Sequence, residues 1–78
     1  MELYKGGYIM SFYITIYGLG EDDSFKLWEK HKTDKIHCLA FDGKTYICGE
    51  ATKDAVAAII TDIKDLGKEY GIVSEELM

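Results

Sequence analysis

The chain has 78 residues, 47% of them hydrophobic and 13% aromatic, so it is no disordered tail and is read as one domain, residues 1–78. Nine Lys+Arg against 14 Asp+Glu leave a net charge of −5, which argues against direct binding to a nucleic-acid phosphate backbone. The longest apolar stretch, residues 8–17, is interrupted by Ser11, Tyr13 and Thr15, falls short of the ~20 residues of a membrane helix, and lacks the basic leader of a signal peptide.

A cytoplasmic location and two reduced cysteines are therefore expected. A domain this short cannot bury six Tyr, three Phe and Trp28 by itself. Part of its apolar surface is expected to meet a partner or a second copy.

Residues 1–9 read as a leader or N-terminal extension. Lys5-Gly6-Gly7 can be encoded by AAA-GGA-GGN, which contains a bacterial ribosome-binding sequence at an ordinary spacing before the Met10 codon. Met10 is thus a candidate start. The absence of Arg beside nine Lys, with many Ile and Tyr, is the mark of an AT-rich genome. Both features suit a low-GC Gram-positive host, its phages or a mobile element.

Residues 8–17, YIMSFYITIY, are β-branched and aromatic without a breaker, and predict the first strand. Alternation places Tyr8, Met10, Phe12, Ile14 and Ile16 on a core face, and Ile9, Ser11, Tyr13, Thr15 and Tyr17 on the other. Gly18-Leu19-Gly20 ends the strand. A glycine loop between strand and helix can cradle phosphate, but Glu21, Asp22 and Asp23 occupy the place a phosphate would take. These acids suit the start of a helix over about 23–32, with Phe25, Trp28 and Lys32 in one stripe and Leu27 and His31 beside it.

Asp42-Gly43 is a type I′ turn dipeptide between two alternating segments. A two-residue loop pairs Phe41 with Lys44, Leu39 with Tyr46, Cys38 with Ile47 and His37 with Cys48. Cys38 and Cys48 then face opposite ways, so no disulfide between them is expected. His37 beside Cys48 is a candidate thiolate–imidazole pair or half a metal site, although no metal-ligand spacing supports it. Thr52 is expected to cap a second helix reaching about Tyr70, with Val56, Ile59, Ile60, Ile63, Leu66 and Tyr70 on its apolar face. Gly71 is expected to close it, and residues 74–78 to add one frayed turn.

The order β-α-β-β-α predicts an α+β fold: a three-stranded mixed sheet with two helices packed on one face. It resembles a ferredoxin-like β-α-β-β-α-β fold that lacks its last strand. The vacancy would lie beside the first strand and leave that strand an open edge.

No signature of catalysis, metal or cofactor binding emerges, so no enzyme and no cofactor is expected. The candidate partner-binding residues are Tyr13, Tyr17, Phe41 and Tyr46 on the sheet, with Asp62, Asp65 and Glu69 along the second helix. The expected partner is a host protein or complex, with a homodimer as a further possibility. The expected function is inhibition or modulation of a host factor such as an anti-phage defence complex. The alternative is a small-molecule or nucleotide-binding domain formed by a homodimer.

Overall fold

The structure, a computed structural model, describes residues 11–77. The candidate start at Met10, the extension 1–9 and the first residues of the strand stretch lie outside the described residues. Within them the order is β1 (Ser11–Tyr17), α1 (Glu21–His31), β2 (Ile36–Phe41), β3 (Lys44–Thr52), α2 (Lys53–Leu66) and β4 (Gly71–Leu77). The four strands form one sheet in the order β2-β3-β1-β4, every neighbour antiparallel. The α+β class and the two helices agree with the sequence. The three-stranded mixed sheet is corrected to four antiparallel strands, the full split β-α-β arrangement.

The fourth strand occupies the place beside β1 that was expected to be empty, pairing Tyr17 with Gly71 through Ser11 with Leu77. Its sequence, GIVSEEL, carries little amphipathic pattern. On the face shared with the core only Ile72 is apolar, followed by Ser74 and Glu76. Pairing with β1 satisfies backbone groups that the exposed edge of an apolar strand would leave bare.

The second helix also ends earlier than expected. Gly67, not Gly71, takes the left-handed conformation (φ 67°, ψ 22°) and returns its N–H to the Lys64 carbonyl at 3.1 Å. Tyr70 therefore leaves the helical stripe and approaches the core from the α2–β4 turn. At the other end Thr52 caps as expected, its hydroxyl accepting from the Ala55 N–H at 3.2 Å.

The core lies between the sheet and the helices. Ile14 and Ile16 of β1 meet Ile36, Ile47, Ile59 and Ile63, all nearly inaccessible, with Leu19 and Leu27 closing the loop end and the α1 side. Phe12 packs against this cluster, so the expected core face of β1 holds where it is described. On α1 the stripe is rotated from expectation. Ser24 and Leu27 point into the core, Trp28 packs against its margin, and the exposed Phe25 ring lies tilted beside Trp28 at 5.6 Å.

Gly49 lies between Ile14 and Ile36 across the sheet. The backbone of Lys35 and Ile36 passes so close that an added Cβ would sit 2.0 Å from the Lys35 carbonyl oxygen. Its φ of 149° is also poorly tolerated by other residues.

Ile63→Ala is expected to cost about 2–5 kcal/mol in urea unfolding, because the site is closed on all sides. Gly49→Ala should be worse, lowering the urea midpoint below that of Ile63→Ala, since the obstruction is backbone and cannot rotate away.

Candidate functional site

Strand alternation sends one set of side chains to the helices and the other to a face that neither helix covers. Three rows cross the middle of this open face. Leu39 opposes Tyr46, one further step of register brings Tyr46 beside Tyr17, and Tyr17 opposes Gly71. The Tyr17 ring lies directly over Gly71, where a methyl group would sit 2.1 Å from Tyr17 Cζ. Phe41 extends this aromatic row at the hairpin end and is 73% exposed. The next row holds His37, Cys48, Thr15 and Val73; the one after holds Glu50, Tyr13 and Glu75.

The sheet thus brings Tyr17, Tyr46 and Phe41 together, with Leu39 completing the row. Tyr13 stands apart from them, between two carboxylates. Its electrostatic coupling to the neighbouring Cys48 sulfur, and then desolvation, push the Tyr13 phenol above its ordinary value. Leu39 and Val73 are at least as exposed as Tyr13 and Tyr17, while Tyr46 is half-buried. Val73 belongs to β4, a strand that its own sequence pattern does not announce.

The acidic residues are not one stripe. Asp62 turns towards α1, where it accepts from His31 Nε2 at 2.6 Å and pairs with Lys30 Nζ at 3.0 Å. Glu69 lies beyond the end of α2, in the turn to β4. Of these three only Asp65 is an exposed acid on the helix as expected; Asp54, in its first turn, is exposed as well. Asp62 therefore fastens the two helices. A second tie runs from Lys68 to Asp23 at 2.5 Å and holds the α2–β4 turn against the start of α1.

His37 and Cys48 are cross-strand neighbours, and Cys38 faces away from Cys48 on the opposite side of the sheet, as the hairpin register required. Both thiols are free. Burial, followed by the charges of Cys48 and Glu21, raises the Cys38 thiol above its ordinary value and disfavours the nucleophilic thiolate. Among the described residues no group of three or more His, Cys, Asp or Glu is placed to hold a metal ion. The Gly18-Leu19-Gly20 loop is anchored by Leu19, which is buried in the core. A groove of about 620 Å³ runs between α1 and the β2–β3 hairpin, lined by Phe25, Trp28, Lys26, Cys38 and Ala40 among others.

β2 forms one margin of the sheet. The bond from Glu50 N–H to the Lys35 carbonyl places the hydrogen-bonded pairs at 35/50, 37/48, 39/46 and 41/44. Ile36, Cys38 and Ala40 then aim their backbone groups outward. The first of these is already satisfied: Trp28 Nε1–H donates to the Ile36 carbonyl at 2.8 Å, and the Ile36 N–H reaches the Thr33 carbonyl.

No protein-family model, curated protein or solved structure matches the chain. No described helix is long and apolar enough to cross a membrane.

The Asp62 carboxyl is held below its ordinary value of 3.8 by the His31 hydrogen bond and then by Lys30. A carboxyl lowered on folding contributes stability that is full above the unfolded value and disappears as pH falls through the folded one. Asp62→Asn should therefore be less stable than the parent at neutral pH, with the difference shrinking below pH 3.8, as thermal melts across an acid series would show.

Proposed function

We propose that this protein is a binding module that recognises a host protein through the open face of its sheet. The observation that carries this reading is the row of Leu39, Tyr46 and Tyr17, extended by Phe41, which no described element covers while both helices pack on the other side. Aromatic side chains supply contact area at little entropic cost, and tyrosine adds a polar tip. Glu50 and Glu75 flank Tyr13 on this surface, Glu50 within reach of Lys35. The chain as a whole is acidic, with a net charge of −5. The partner this suits presents basic and apolar groups together, as a nucleic-acid-binding surface does.

The function proposed is inhibition or modulation of such a host factor by occlusion. The setting is the cytoplasm of a low-GC Gram-positive bacterium, with the gene carried by a phage or mobile element. A CRISPR-type or other nucleic-acid-directed defence complex is the proposed target class. The support is the AT-rich composition, the candidate ribosome-binding sequence before Met10 and the aromatic surface on an acidic chain. The second reading, a small-molecule or nucleotide site completed by a homodimer, draws on the aromatic groove between α1 and the hairpin. Catalysis has less support, since the cysteine facing that groove is held in its protonated form.

The test is infection of a Gram-positive strain carrying an active nuclease defence, with and without the protein expressed. Plaque counts should rise by an order of magnitude or more with the wild type. Tyr17→Ala with Phe41→Ala should abolish the rise, while Asp62→Asn should retain it. Plaque counts insensitive to the protein across several defence types would reject the proposed role.

A further inference from the structure

We propose that two copies of this chain join through β2, related by a twofold axis at Leu39, into one sheet that runs across both molecules. This inference concerns the sheet margin rather than the target-binding face and stands independently of the proposed function.

The argument begins with which backbone groups are available. Outward-facing residues on β2 are Ile36, Cys38 and Ala40, and Trp28 and Thr33 have taken those of Ile36. The N–H and C=O of Cys38 and Ala40 remain, with no partner among the described residues. An antiparallel partner must offer outward groups at a matching spacing. A second β2 does so in one register: Cys38 opposite Ala40 of the second copy, and Ala40 opposite its Cys38. Each such pair exchanges both backbone bonds, so every free group on the margin is used. Shifting the register to set Cys38 against Cys38 would oppose Ala40 to Ile36, whose groups are already occupied. Trp28 thereby selects the register.

Side chains agree with this pairing. Leu39 falls on the twofold axis opposite its own counterpart on the open face, and Phe41 falls opposite His37. Leu39 and Phe41 are among the most exposed large apolar residues described, at 51% and 73%. On the helix side the groove beside Cys38 and Ala40 leaves room for the approaching strand.

Charge separates this margin from the other one. Sheets commonly protect their edges with charged residues or proline. β4, the opposite margin, carries Glu75 and Glu76. β2, with the sequence IHCLAF, has no acid, no lysine and no proline. Two molecules of net charge −5 meet with less repulsion along a strand that itself carries no carboxylate, the nearest acids being Glu21 and Asp22 on α1 and Asp42 in the hairpin turn. Because the axis is perpendicular to the sheet, the open faces of both copies lie on the same side and their aromatic rows become continuous.

Sedimentation equilibrium of the full chain at micromolar concentration tests the inference, with circular dichroism confirming that each variant is folded. The wild type should have the mass of two chains. Ala40→Pro removes an N–H that β3 does not use, and Leu39→Lys sets two like charges opposite each other at the axis; each should give a folded monomer. In a Cys38→Ser background, Leu39→Cys should form an interchain disulfide under mild oxidation, because directly opposed residues of this kind have Cα atoms about 4.5 Å apart, within the range a disulfide spans. A monomeric wild type would overturn the proposal. So would a dimer that survives both edge variants, or a dimer in which Leu39→Cys does not cross-link.

Discussion

The pleat of β1 decides which side of this molecule is dry. Ile14 and Ile16 point to one face and Tyr13, Thr15 and Tyr17 to the other, and a strand paired on both sides cannot shift by one residue without exchanging the two sets. With β3 on one flank and β4 on the other, that alternation is transmitted across the sheet. The helices cover the isoleucine side because only there can α2 bury Ile59 and Ile63. The aromatic row on the opposite side follows from the same register. Core and candidate site are therefore two readings of one constraint.

Much of this was legible in the sequence. The Asp42-Gly43 turn set the hairpin register, and with it the opposed faces of Cys38 and Cys48 and the pairing of Leu39 with Tyr46. The unbroken β-branched run gave β1 and its faces away. What escaped notice was structure whose cause lies elsewhere in the chain. β4 carries a weak alternation of its own and pairs because β1 has unsatisfied backbone groups. The sequence points to Gly71 as the helix stop, whereas the chain turns at Gly67 and Gly71 begins β4. Asp62, read as part of an exposed acidic stripe, lies where α2 passes His31 and Lys30, a meeting of helices that no local pattern encodes.

The candidate site divides in the same way. Tyr17, Tyr46 and Phe41 were found because alternation alone places them on one face. Leu39 and Val73 complete the exposed apolar surface, and Val73 became visible only with its strand. The position of the margins changed most. The strand expected to offer its edge lies inside the sheet, and β2 stands at the border, partly closed by the Trp28 indole.

The pairing of β1 with β4 also sets the order in which the fold can be completed. β1 is synthesised early, yet its neighbours on both sides follow it, and β4 comes only after both helices. During synthesis the most apolar strand waits with one side unmet while α2 is still being extended. Contacts so distant along the chain are slow to form, because a long loop must close before any bond repays its entropy. The nascent chain is thus most vulnerable to misassociation in the interval before Gly71 emerges, and seating the small strand ends that exposure.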